Sequence, residues 1–176
     1  GETAHGEPYL VMEFVPGATL GDWLATHPLD RRQRLALFDK IVVATMHAHQ
    51  RGVIHRDIKP GNVMVREDGE PKLLDFGVAK LIDLSDASPE RHTSTRVSTP
   101  GYASPEQRAG LPVTTATDVY SLGVLLKEML GGLRPIDATP GAQPRWTPVP
   151  LDSDLRGIIG RAASEDPAQR YPTAEA

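Results

Sequence analysis

Hydrophobic positions change period several times along the chain. In Val53–Gly77, VIHRDIKPGNVMVREDGEPKLLDFG, two short apolar runs, Asn62–Val65 and Lys72–Leu74, flank Glu67-Asp68-Gly69-Glu70. Asp-Gly between such runs predicts a hairpin closed by a type I′ turn, whose two central residues both need positive φ. Upstream, Pro8–Val15 (PYLVMEFV) is apolar with a β-branched and aromatic bias and predicts a buried strand, which Pro16-Gly17 breaks. Thr19 as N-cap, with Asp22 three residues on, predicts a short helix over Leu20–Ala25 that His27-Pro28 ends. From Asp30 to Arg51 a long helix is expected, with Leu35, Phe38, Ile41, Val42 and Met46 at helical spacing and Gly52 as its C′ residue. Thr115–Leu130 carries Val119, Leu122, Gly123, Leu125, Leu126 and Met129, an apolar set wide enough for a central helix buried on most sides. Asp152 or Ser153 is placed to cap a further helix through Ile158, Ile159 and Ala162. Two stretches show no period. Val78–Thr99 is long and polar, and Gly131–Pro150 is interrupted by Pro135, Pro140, Pro144, Pro148 and Pro150.

The totals narrow the function classes. At 176 residues, 39% apolar and 24% charged, the chain is long enough for one domain with a core of its own. A net charge of −4 argues against a nucleic-acid partner. Without cysteine there is no disulfide frame, no thiol nucleophile and no zinc-thiolate site, which fits a reducing compartment. No apolar run has the length of a membrane span, and the opening GETAHGE lacks the basic and apolar regions of a signal peptide. The expectation is a cytoplasmic segment with no membrane contact of its own, which leaves room for an anchor elsewhere in a full-length protein.

The hairpin carries the chemistry. It brings the loop entering it, His55–Gly61, beside the loop leaving it, Asp75–Gly77, and so gathers Asp57, Lys59, Asn62 and Asp75. Two carboxylates, an amide oxygen and an ammonium suit a divalent metal and phosphate. His47 and His49 make a poor metal pair, because residues two apart point to different sides of a helix. Asp118, on the predicted central helix, needs donors if it is buried.

His55-Arg56-Asp57 with Asn62 five residues after the Asp, then Asp75-Phe76-Gly77, resembles the catalytic and metal-binding loops of protein kinases. Either motif alone is weak. Both in order at hairpin spacing, followed by Ser104-Pro105-Glu106 and Asp118-Val119-Tyr120-Ser121-Leu122-Gly123, are very specific. The Asp-x-Lys-Pro-x-Asn form and Thr99 ahead of Ser-Pro-Glu resemble the Ser/Thr-specific members. The runs GVIHRDIKPGN and SPEQ read most like bacterial kinases of the eukaryotic type.

The resemblance implies an α+β fold for the family, of which this piece is mainly α: a large lobe with a short hairpin bearing the catalytic loops. Residues 8–15 correspond to the last small-lobe strand and the hinge, and 16–176 to the large lobe, cut inside its last helix. The family's glycine-rich loop, phosphate-pairing Lys and its Glu partner have no counterpart, so the expectation is a partial domain whose missing small lobe belongs to a longer chain. The implied reaction is transfer of the ATP γ-phosphate to Ser or Thr hydroxyls of proteins, with Mg as cofactor. Asp57 takes the substrate proton, Lys59 neutralises the transferring group, and Asn62 and Asp75 hold Mg. Met12, Glu13 and Val15 frame the adenine, with Met64 as its floor. Arg56 is expected to pair with phosphate on the activation segment, where Thr93 and Thr95 are leading acceptors beside Ser94 and Ser98, and Thr99 is a further regulatory position. His55, Phe76, Asp118 and the pair Glu106–Arg170 are read as structural support. The proline spacing of 131–150 leaves little room for the substrate-docking helix usual there. Two other readings compete: a pseudokinase scaffold, which needs none of the four polar groups, and a small-molecule kinase, which needs no such activation segment.

Overall fold

The structure, a computed structural model, describes residues 1–3, 5, 9, 11–76, 101–133 and 143–176. Gly77 and the expected activation segment, with Thr93, Ser94, Thr95, Ser98 and Thr99, lie outside the described residues, as do Pro135 and Pro140.

Strand β1 (Ala18–Thr19) leads directly into helix α1 (Leu20–Thr26), and Thr19 caps that helix by accepting from the Asp22 N–H. Helix α2 (Arg31–His49) opens on a capping box in which Asp30 accepts from the Gln33 N–H and the Gln33 side chain accepts from the Asp30 N–H. It closes on Gly52 at φ 72°. There the Gly52 N–H bonds the His49 carbonyl and the Val53 N–H reaches back to the Ala48 carbonyl, the pair of bonds of a Schellman closure.

Strands β2 (Val63–Val65) and β3 (Pro71–Leu73) form the expected hairpin, with Met64 opposite Lys72, and β1 pairs antiparallel on the other side of β2. Asn62, expected in the first strand, instead ends a 3₁₀ turn, Pro60–Asn62, which the fixed φ of Pro60 favours. The predicted type I′ turn is also corrected. Gly69 has φ 80°, but Asp68 does not share the left-handed region. The Gly69 N–H bonds Arg66 O and the Arg66 N–H bonds Glu70 O, so Glu67-Asp68-Gly69 form a three-residue connection with its positive φ at the last position.

The predicted strand over residues 8–15 is not formed at 11–15. A strand exists through its neighbours, and among the described residues none pairs with this segment; Tyr9 instead exchanges backbone hydrogen bonds with Gly1. Val11 and Phe14 are left 82% and 86% exposed, while Val15 alone is buried.

Helix α3 (Pro105–Ala109) has no counterpart among the expected elements, although Ser104 and Gln107 form a full capping box and Pro105 sits at the first helical position. Helix α4 (Thr115–Gly131) is buried along nearly its whole circumference, as its apolar width predicts. Residues 143–152 contain no helix. Asp152 is the residue that caps α5 (Ser153–Ala162), accepting from the Leu155 N–H at 2.9 Å. Residues Pro167–Gln169 form another 3₁₀ turn.

One core joins these elements. Leu24 of α1, Ile41 of α2, Ile58 of the loop between α2 and β2, Val63 of β2 and Leu125 and Met129 of α4 pack in a single cluster. A second cluster, Leu126, Leu130, Leu155 and Ile159, seats α5 on α4. The innermost line of α2 runs through Arg34, Leu37, Ile41, Thr45 and Ala48, displaced from the predicted line, and Leu35, Phe38, Val42 and Met46 are half-buried beside it. Periodicity overlooks Arg34 because it is charged; burial is permitted by carbonyl acceptors at Leu29, Met129 and Thr147. Among the described residues no helix is long and apolar enough to cross a membrane.

Candidate active site

The site sits where the loop between α2 and β2 meets the exit of β3. The Leu74 N–H bonds Asn62 O at 2.8 Å, which carries the hairpin register one step beyond the strands and brings residues 75–76 beside the loop. Lys59 Nζ lies 2.8 Å from Asp57 Oδ2, and the Asn62 side-chain amide donates to both Asp57 O and Asp57 Oδ2 at 2.8 Å. With its nitrogen directed to Asp57, Asn62 has its amide oxygen left as the group able to meet a cation. Asp75 is exposed, at φ 55°.

The loop is held by one carboxylate. Asp118, fully buried on α4, accepts from the His55 N–H through Oδ2 and from the Arg56 N–H through Oδ1, both at 2.8 Å. Arg56 lies at φ 68°, a conformation costing a non-glycine residue on the order of 1 kcal/mol or more. It is fixed there from both sides, because its carbonyl accepts from Gln107 Nε2 at 2.7 Å. His55 is wholly buried; burial holds its pKa below the ordinary histidine value, against the opposing pull of Asp118 and of Asp57. Its ring packs against Phe76 with centroids 4.7 Å apart, tying the loop between α2 and β2 to the loop after β3.

Behind the site, Arg170 and Glu106 form a bidentate pair, with both N–O distances 2.8 Å. Arg170 also donates to the carbonyls of Ala116, Ser164 and Glu165. Glu106 feels burial, which raises its pKa. Hydrogen bonds from Arg170, the backbone and Thr117 oppose that and bring it down to about 2.

An open cavity of about 420 Å³ adjoins the site, bordered by Met12, Glu13, Val15, Lys72, Asp75 and Phe76. It unites three of the expected adenine contacts with Asp75. Met64 is not among its lining residues: it lies half-buried in β2, between Thr19 and Lys72 on the neighbouring strands. Glu13 pairs with Lys72 at 2.6 Å, a hydrogen bond and charge that lower the Glu13 pKa.

The donor set fits magnesium better than a protein-enclosed metal. Among the described residues no group of three or more His, Asp or Glu side chains could hold a metal ion. One carboxylate and one amide oxygen are the kind of partial site that Mg²⁺ completes with substrate phosphates and water.

Sequence reasoning missed three supporting residues. Gln107 was legible in principle, as the last member of a Ser-x-x-Gln capping box. His49, whose Nε2 lies 2.8 Å from Asp118 Oδ2, and Thr117, which donates to Glu106 at 2.8 Å, left no local signal.

The comparisons with known proteins agree with this geometry. The protein kinase domain model matches residues 2–168. The chain is 37% identical over 182 residues to the Ser/Thr-protein kinase PrkC of Bacillus subtilis, covering 95% of this chain and 27% of that protein. It is 37% identical over 187 residues to the Ser/Thr-protein kinase PknB of Mycobacterium leprae, covering 98% of this chain and 30% of that one. The solved kinase domain of PknI from Mycobacterium tuberculosis superposes with a TM-score of 0.65 at 27% identity, over 93% of this chain and 60% of that one. The chain thus spans less than a third of the length of these two curated relatives. With a mostly helical large-lobe architecture, a small sheet and the kinase loops in order, it belongs to the protein kinase family, on its bacterial eukaryotic-like branch.

Proposed function

We propose that this chain is the catalytic large lobe of a Ser/Thr protein kinase, completed by a small lobe in a longer protein. The observation that carries the reading is the Asp57–Lys59–Asn62 cluster, held in a loop whose backbone is fixed on Asp118. Bound Mg-ATP supplies the phosphoryl group and the charge compensation its transfer needs. The Asp57 carboxylate accepts the proton of a Ser or Thr hydroxyl and aims its oxygen. Lys59, already beside Asp57, neutralises charge that builds on the transferring group. Asn62 holds Asp57 through its nitrogen, and its oxygen, with Asp75, would hold magnesium. Met12, Glu13 and Val15 would border the adenine. Arg56 would pair with phosphate on Thr93 or Thr95, a charge-assisted contact that orders such segments. Protein substrates and a cytoplasmic location follow from the same reading.

The test is Asp57→Asn in a chain that includes the small lobe. Nucleotide affinity should stay near that of the parent while turnover falls by at least about a hundredfold, the size expected when base and positioning roles vanish together. Turnover within about threefold of the parent would remove Asp57 from the chemistry, since a general base contributes far more than that. A scaffold that transfers nothing would show no turnover in the parent either.

A further inference from the structure

The side-chain amide of Gln107 serves two distant parts of the chain at once. Its Oε1 accepts from the Ser104 N–H at 3.0 Å, and Ser104 Oγ accepts from the Gln107 N–H at 3.3 Å. These two bonds are the capping box of α3. Its Nε2 donates to the Arg56 carbonyl at 2.7 Å, across 51 residues of sequence. The Ser104 N–H needs an acceptor and the Arg56 carbonyl needs a donor, so a single orientation of the amide satisfies both. Glu completes a capping box as well as Gln does. Helix capping therefore accounts for the oxygen of this side chain and leaves its nitrogen to be explained.

The carbonyl it holds belongs to the peptide group joining Arg56 to Asp57. The preceding peptide is fixed by the Arg56 N–H on Asp118 Oδ1 at 2.8 Å. Arg56 keeps its φ of 68° between two peptide planes pinned by different helices, α4 through Asp118 and α3 through Gln107. A residue persists in that region when its surroundings over-determine it. At the far end of the second plane the Asp57 N–H reaches His55 Nδ1 at 3.4 Å, a long and weak bond, so Gln107 is the stronger hold. Helix α3 is a firm base for it. Glu106, the neighbour of Gln107, is clamped by Arg170 through two bonds of 2.8 Å, and Arg108 Nη1 donates to the Ala103 carbonyl at 2.5 Å.

We propose that Gln107 is a positioning residue for phosphoryl transfer: its amide ties the buried Ser104 to the Arg56–Asp57 peptide and so sets the direction in which Asp57 enters the site. Displacement of residues 103–104 would then be felt at Asp57 through one side chain. The inference rests on the proposed kinase function for its kinetic readout; the exchange measurements below stand without it.

The test compares the chain with its small lobe, as the parent, with Gln107→Glu. The introduced carboxylate keeps the acceptor for the Ser104 N–H and loses the donor for the Arg56 carbonyl. It should lower kcat by about ten- to a hundredfold at pH about 7.5, the range for a displaced catalytic group, with the KM for Mg-ATP unchanged. A protonated carboxyl donates as the amide did, so the variant-to-parent ratio of kcat should rise as pH falls toward about 5. Hydrogen exchange at the Asp57 amide should be faster in the variant than in the parent. In the parent, one proton of the Gln107 side-chain amide should be protected from exchange with water. A variant kcat within about threefold of the parent would overturn the proposal, being far less than a displaced catalytic group costs. So would a lowered kcat whose ratio to the parent does not change with pH, or an effect confined to KM. Should the variant fail to fold, the parent decides: a protected Gln107 side-chain proton supports the bridge, and rapid exchange of both protons refutes it. A parent that transfers no phosphate would instead overturn the kinase reading, leaving the exchange measurements to judge Gln107.

Discussion

Glu106 is a carboxylate whose ionisation is enforced by its neighbours. Burial favours its neutral form, and Arg170, the backbone and Thr117 together outweigh that, setting its pKa at about 2 against an ordinary 4.5. Because the folded value is depressed, the stabilisation is complete above pH 4.5 and is lost as pH falls toward 2. Glu106→Gln should therefore be less stable than the parent at neutral pH, since it leaves the buried Arg170 charge unpaired. The parent-minus-variant difference in unfolding free energy should shrink by about 3 kcal/mol across the acid window, because each tenfold change in proton affinity is worth about 1.4 kcal/mol. Denaturant titrations of both proteins over that range measure the difference. A gap that stays constant with pH would mean that Glu106 ionises as it does in the unfolded chain.

At the scale of elements, two helical glycines separate packing from propensity. Gly123 of α4 lies against α5 so closely that an added Cβ would come 2.7 Å from the Ala162 Cβ. Gly160 of α5 is exposed, and a Cβ there would meet nothing within 4 Å. Gly123→Ala should thus cost about 1–3 kcal/mol by forcing the helices apart. Gly160→Ala should stabilise by up to about 1 kcal/mol, the propensity gain of Ala over Gly. Thermal melts of the two variants should move in opposite directions, and a shared direction would contradict the helix contact described here. The same contrast explains what is legible in the sequence. Helices α1, α2, α4 and α5 announce themselves through caps and apolar spacing, and the hairpin through Asp-Gly between short apolar runs, because these signals are local. The turn type escapes such a reading because residues on both sides of Asp-Gly share in the connection: Arg66 bonds Glu70 across it. The strand expected over 8–15 is not formed at 11–15 for the opposite reason, since these residues have the right character and no backbone partner among the described residues. At the site, the Asp57, Lys59 and Asn62 cluster is legible from motif spacing. The His49–Asp118 and Thr117–Glu106 bonds are not, because their ring, carboxylate and hydroxyl meet only through packing of helices.

For the molecule as a whole, the exposed apolar strip at Val11, Met12 and Phe14 sits beside the cavity that the site shares. Open apolar surface of this kind favours association with another surface. The 176-residue chain should self-associate in sedimentation experiments. Val11→Ser with Phe14→Ser should reduce this while leaving the melting temperature within about 2 °C, as for other exposed substitutions. A double variant that melts far lower would show that these side chains belong to the core. In calorimetry the same chain should show no binding of Mg-ATP at micromolar concentration, because the groups proposed to meet phosphate and magnesium among the described residues, Lys59, Asn62 and Asp75, form only a partial site. Micromolar affinity would mean that other residues hold the nucleotide.

The dependence of the catalytic loop on Asp118 also sets an order of events during synthesis. The amides it holds lie 62 and 63 residues upstream, and the His49 ring 69. A nascent chain that ends before residue 118 already contains the loop and the hairpin, yet has no acceptor for the His55 and Arg56 amides. At ribosomal speeds of about 5–20 residues per second, the interval between making the loop and making its acceptor is about 3–12 seconds. During that interval the loop has its sequence without its shape. The acceptor that fixes the His55 and Arg56 amides then arrives only with the central helix.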